Sequence, residues 1–101
     1  MYCTYIIESL TSGKWYYGSS SNPIERLNYH NKGWNRSTKG RGPWILIFLR
    51  KFETEVESRE FEFQLKGHRR KEYIRKKFGA YFVVQYSRPG LPRRSASRSR
   101  G

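Results

Sequence analysis

Five of the eight carboxylate side chains in this chain fall between Glu53 and Glu62, in a sequence with 21 lysines and arginines and no aspartate. A glutamate run of this kind is commonly a solvated helix face that balances lysines. Here Phe61 and Phe63 flank Glu62, which places that carboxylate on a helix buried in part on either side. A partly buried carboxylate among basic groups suits a hard divalent cation. Arg26 and His30 are spaced i, i+4, so on a helix both project from one face. Taken singly, Arg26 is a solvated arginine that could pair with Glu25 or Glu8, and His30 is a histidine near a helix end. Tyr5 and Tyr16, taken singly, are strand tyrosines, and a phenol of pKa about 10 is a poor base at neutral pH unless a cation lowers it. Together these residue types supply what phosphodiester hydrolysis needs. A base deprotonates water, cations offset the charge on the phosphoryl group, and a metal or cation helps the leaving oxygen depart.

The elements that must position these groups follow from pattern and punctuation. Tyr2 to Ile7 alternates and is rich in β-branched and aromatic residues, which predicts a strand. Thr11-Ser12-Gly13 is a turn, and Lys14 to Gly18 a second strand that completes a hairpin. Asn22 caps and Pro23 opens a helix that runs through Ile24, Leu27 and Asn31 to about Gly33. Gly33 to Gly42 is a polar basic loop. Pro43 to Phe52 holds a dense apolar run that reads as a central strand with both faces covered. A helix follows from about Glu55, with Val56, Arg59, Phe63 and Lys66 on one stripe and Phe61 and Leu65 on the next. His68 to Lys77 is a basic helix-like stretch, and Tyr81 to Tyr86 a short last strand. From Ser87 the Ser, Arg, Pro and Gly content cannot bury enough apolar surface to fold alone.

With 101 residues there is room for one compact domain. The 17% aromatic content can close a core that has few leucines and valines, because each ring buries a large area. The net charge of +13 predicts a polyanionic partner, with nucleic acid ahead of an anionic membrane surface. No apolar stretch of about 18 residues exists to span a membrane. The start of the chain lacks a basic signal-peptide segment, so an intracellular location is expected. The basic charge is uneven. Seven cations and no acid lie from Arg26 to Lys51, seven cations with only Glu72 from Lys66 to Lys77, and five arginines from Ser87 onward. The single cysteine, Cys3, can form neither an internal disulfide nor a cysteine-based zinc site.

Thr4-Tyr5-Ile6-Ile7, Trp15-Tyr16-Tyr17-Gly18-Ser19-Ser20 and Pro23-Ile24-Glu25-Arg26-Leu27-Asn28-Tyr29-His30-Asn31 resemble, in order and spacing, the core of the GIY-YIG nuclease family. Gly40-Arg41-Gly42-Pro43-Trp44 and Phe52-Glu53-Thr54 resemble its third strand and the approach to it. Arg59-Glu60-Phe61-Glu62-Phe63-Gln64-Leu65-Lys66 resembles its metal-binding helix. A single YxG tripeptide is common by chance, whereas four matches in order are much more specific. The resemblance runs from about Tyr2 to Lys66.

That resemblance implies roles. Tyr5 and Tyr16 would flank the attacking water, with Tyr16 the better candidate for activating it. Gly18 would let the backbone approach the nucleic acid closely. Arg26 would hold the scissile phosphate, and His30 would hydrogen-bond in the same site as the base or its orienter. Glu62, four before Lys66, would hold Mg²⁺ or Mn²⁺ in preference to Glu60. Two departures stand out: Cys3 and Thr4 replace the glycine and isoleucine of the first motif, and Ser19 occupies a position where some members carry a lysine. The second leaves Lys39 or Arg41 to supply a cation, and Arg69, Arg70 and Lys71 extend the basic surface.

The expected fold is α+β, a small three-stranded, mainly antiparallel sheet flanked by helices. The expected organisation is a nuclease-like core over 1–66, a basic helical extension over 67–86 and a basic tail over 87–101. The expected activity is metal-dependent hydrolysis of DNA, with branched or damaged DNA as candidate substrates. RNA as the substrate, a non-catalytic binding module on the same scaffold, and a nuclease that needs a protein partner for targeting are the alternatives.

Overall fold

The computed structural model describes residues 1–68 and 70–83. Three strands, β1 (Tyr2–Ser9), β2 (Trp15–Ser20) and β3 (Trp44–Phe52), form one antiparallel sheet in the order β2-β1-β3. Helix α1 (Pro23–Asn31) follows β2, α2 (Glu55–Lys66) follows β3, and α3 (Lys71–Lys77) runs into a 3-10 turn at Gly79–Tyr81. This is the α+β arrangement expected from the sequence.

One expectation is corrected. The central strand is β1, and β3 lies at the edge of the three strands. The apolar run of β3 still has both faces covered. Trp44 and Leu46 pack with Tyr5, Ile7 and Leu27 on one side, and Ile45, Ile47 and Phe48 pack with Phe61, Leu65, Ile74 and Phe78 on the other. Alternation breaks at Ile47–Phe48 because the β1–β3 register shifts between Ile6 and Ile7. A bulge adds one residue to a strand and so turns the next side chain onto the same face. The outer edge of β3 is blunted by a bridge from Phe48 to Phe82 and by Val83 N donating to Ile47 O at 2.9 Å. The expected last strand thus appears as this short pairing, and the remainder of 81–86 lies outside the described residues, as does the tail from Ser87.

Helix α2 buries Ser58, Phe61 and Leu65, while Val56 and Phe63 are exposed. Its start is held by a capping box in which Thr54 accepts from Glu57 N and the Glu57 carboxylate accepts from Thr54 N. Packing continues across Lys66, since Ile74 of α3 is fully buried against the same cluster as Phe61 and Leu65. No helix among the described residues is long and apolar enough to cross a membrane.

Candidate active site

The site face of the sheet is the one α1 covers. Side chains alternate along a strand, and directly paired residues share a face. Tyr5 is opposite Gly18 and Ile7 opposite Tyr16, so Tyr5, Tyr16 and Gly18 all belong to this face. Asn22 caps α1 by accepting from Glu25 N, Pro23 occupies its first turn, and buried Leu27 anchors it to Ile7 and Leu46. That seating turns Arg26 and His30 toward the tyrosines.

Tyr5 and His30 are both about 1% exposed, and Tyr5 Oη lies 3.0 Å from His30 Nε2. The other ring nitrogen, Nδ1, lies 2.9 Å from Thr38 Oγ1. The Arg26 guanidinium lies near enough for its charge to act on both Tyr5 and His30. Thr38 Oγ1 donates its proton to Asn35 O at 3.4 Å, so it accepts from the imidazole, whose proton sits on Nδ1 at 2.9 Å. Nε2 of the neutral ring is then the acceptor, and Tyr5 Oη donates to it. The result is one directional chain from Tyr5 through His30 and Thr38 to the Asn35 carbonyl.

Burial fixes the charge states of the pair. Desolvation pushes the Tyr5 phenol up to about 12, with the charges of Tyr16 and Glu62 adding to the rise and Arg26 opposing it. Burial, reinforced by the Arg26 charge, brings His30 down to about 4. Both groups are therefore neutral at pH 7. Tyr16 is half-buried, with its ring 4.7 Å from that of His30, so of the two tyrosines it is the one with surface open to solvent.

Gly18 has a reason in packing. A Cβ built there would lie 2.4 Å from both Cζ and Oη of Tyr5. The glycine makes room for the Tyr5 phenol inside the sheet face. Position 19 looks the other way, toward α2. Ser19 Oγ hydrogen-bonds Ser58 Oγ, and Thr4 Oγ1 donates to Ser58 O at 2.7 Å. The small hydroxyls at 4 and 19, both departures from the family pattern, form a polar seam that docks α2.

The same helix carries Glu62. Glu62 is half-buried, lies near enough for its charge to raise the Tyr5 pKa, and pairs with Lys66 Nζ at 2.9 Å. Glu60 is exposed. The structure thus brings Tyr5, Tyr16, Gly18, Arg26 and His30 together, with Glu62 near enough for its charge to act on Tyr5. Lys39 and Arg41 are exposed in the loop that Thr38 anchors, and the Arg41 carbonyl accepts from buried Ser9 at 2.7 Å. Lys71 is not part of this group. Its Nζ donates to Gly13 O at 2.7 Å and lies 5.0 Å from the Trp15 ring, on the α2–α3 side of the sheet. Exposed Arg70 lines a surface groove with Arg75 and Lys76, and Arg69 lies outside the described residues.

Sequence reasoning missed Thr38 and Asn31. Thr38 is buried in a loop with no periodicity to betray it. Asn31 clamps the start of β3 by accepting from Trp44 N at 2.7 Å and donating to Trp44 O at 3.1 Å. Positions 1–77 match the family described as GIY-YIG catalytic domain.

The chain belongs to the GIY-YIG catalytic domain family. Within that family it is similar to the structure-specific endonuclease subunit SLX1 homolog of Giardia intestinalis, at 33% identity over 66 residues. That match covers 61% of this chain and only 18% of the relative. A solution NMR structure of a UPF0213 protein from Bacillus halodurans aligns with 27% identity and a TM-score of 0.46, covering 79% of this chain and 84% of that one. The GIY-YIG pattern of this chain therefore extends through α3, beyond the Lys66 limit of the motifs legible in its sequence.

Proposed function

We propose that this GIY-YIG domain is a metal-dependent DNA endonuclease, and the observation that carries the proposal is the convergence of Arg26, the buried Tyr5–His30 pair, Tyr16 and Glu62. Among the described residues there is no group of three His, Cys, Asp or Glu that could hold a metal. One partly buried carboxylate fits Mg²⁺ or Mn²⁺, hard ions that keep several waters and take substrate phosphate oxygens as ligands. Glu62 would hold the ion, and the exposed Lys66 head, free to swing into solvent, would release the carboxylate. When bound, such an ion supplies positive charge to the phosphoryl and leaving oxygens.

The chain's own residues do the rest. Arg26 presents planar paired donors to the scissile phosphate and lies over the Tyr29 ring at 4.3 Å. Tyr5 and His30 stay neutral beside that guanidinium, locked to each other by their hydrogen bond. Tyr16 Oη, on the open side, orients the attacking water and takes part in its deprotonation. Likeness to the Giardia relative, a structure-specific endonuclease subunit, supports branched DNA as substrate and a partner chain for targeting.

The test uses plasmid and branched DNA with Mg²⁺ or Mn²⁺, then with chelator. Metal-dependent nicking is expected, reduced about 100-fold or more in Glu62→Gln while that variant still retains DNA at low salt. Tight binding with no cleavage under either metal would overturn the proposal and leave a binding module on a nuclease scaffold.

A further inference from the structure

Helix α1 ends in a backbone device that fixes one exposed aromatic ring beside the site. Gly33 adopts φ 78°, Gly33 N donates to His30 O at 3.0 Å, and Trp34 N donates to Tyr29 O at 3.3 Å. This doubly bonded helix end usually carries an apolar contact between the residue after the glycine and the last turn. Here the contact is Trp34 against Tyr29, edge-on with ring centroids 5.8 Å apart. Such a contact requires only a modest apolar side chain, yet Trp34 is 63% exposed. Lys32 Nζ sits 4.9 Å from the Trp34 ring, and Arg26 lies over the other partner of the contact, Tyr29. Arg36, Lys39 and Arg41 follow on the exposed loop, and no acid occurs between Arg26 and Phe52.

We infer that Trp34 is a stacking platform for an unpaired base of bound DNA. A base still paired in a duplex presents its edge and hides its face, whereas an unpaired base can lay its face on an aromatic ring while its phosphates meet nearby cations. The backbone bonds hold the Trp34 main chain in place, so stacking needs little ordering of the protein. The path Trp34–Tyr29–Arg26 places this platform next to the guanidinium assigned to the scissile phosphate, so the inference rests on that reading and refines it. The preferred DNA carries an unpaired nucleotide beside the cleaved bond.

The full-length protein is titrated, in chelator, with two duplexes that differ only in whether one 2-aminopurine is paired or extrahelical. Wild type is expected to prefer the extrahelical form and to quench its fluorescence. Trp34→Ala and Trp34→Leu are expected to weaken binding of that form roughly 5- to 100-fold and to abolish the quenching, while Trp34→Phe keeps most of both. Trp34→Leu retains an apolar capping contact, so equal binding by Trp34→Leu and wild type would overturn the inference. Equal losses on both duplexes would overturn it as well, since that is the signature of a general charge or folding effect. Because the readout is binding without divalent metal, a protein that stacks the base but never cleaves DNA would refute the nuclease proposal and leave this one standing.

Discussion

His30 shows how burial sets the chemistry of a single residue. Its ring is donor to Thr38 and acceptor from Tyr5, so protonation would break the Tyr5 bond inside a closed site. The folded-state pKa is about 4, against an ordinary 6.5 for the unfolded chain. Between those values the unfolded chain takes up a proton that the folded chain refuses. Stability from this group is therefore intact above about pH 6.5 and falls as pH drops toward 4, by roughly 3 kcal/mol in total. Thermal melts of wild type and His30→Gln across that range should show the variant with the smaller acid-side slope. The cleavage rate should show no inflection near pH 6.5 from this residue, and its appearance would mean that His30 titrates as an exposed imidazole.

At the scale of elements, the glutamate cluster turns out to serve the helix as well as the site. Glu57 closes the capping box, Glu55 pairs with Arg59 at 2.8 Å, and of the cluster Glu62 is the one whose charge acts on Tyr5. Acids in a first turn also complement the helix dipole. The strand pair is the other decisive element, because Gly18 faces Tyr5 across it. Gly18→Ala must push the phenol off His30 or spread β1 from β2. We expect a loss of about 1 to 3 kcal/mol in stability and a larger fractional loss of cleavage than of DNA binding. Chemical denaturation with parallel binding and cleavage assays checks this, and an unperturbed Gly18→Ala protein would refute the packing account.

On the whole molecule, the two basic surfaces are divided by the sheet. Arg26, Lys39 and Arg41 belong to the α1 side, whereas Lys71 and Arg75 lie over Trp15 on the α2–α3 side. Binding through the α1 side alone, by Arg26, Lys32, Lys39 and Arg41, predicts a log–log salt slope of about −3 to −4. The double variant Lys39→Ala/Arg41→Ala should flatten that slope by about 2. Affinity measured as a function of salt decides this, and an unchanged slope would place the DNA elsewhere.

The fold and most of the site were legible in the sequence because local signals carried them. Alternation in Tyr2 to Ile7, the Asn22-Pro23 helix start and the i, i+4 spacing of Arg26 and His30 depend on neighbours a few residues away. The family motifs then named Tyr5, Tyr16 and Glu62 as candidates. What the chain alone left open depends on contacts between distant segments. The sheet order put β1 at the centre, where the sequence suggested β3, because the apolar density of a strand reports covered faces and not its number of strand neighbours. Thr38 and Asn31 gain their roles only when the loop folds back on α1 and β3. The charge states of Tyr5 and His30 arise from burial, which no spacing encodes. Residue types and short-range order thus chose the candidates for this nuclease-family domain, and tertiary packing decided which face the tyrosines share with Arg26 and His30, and which of these groups are neutral.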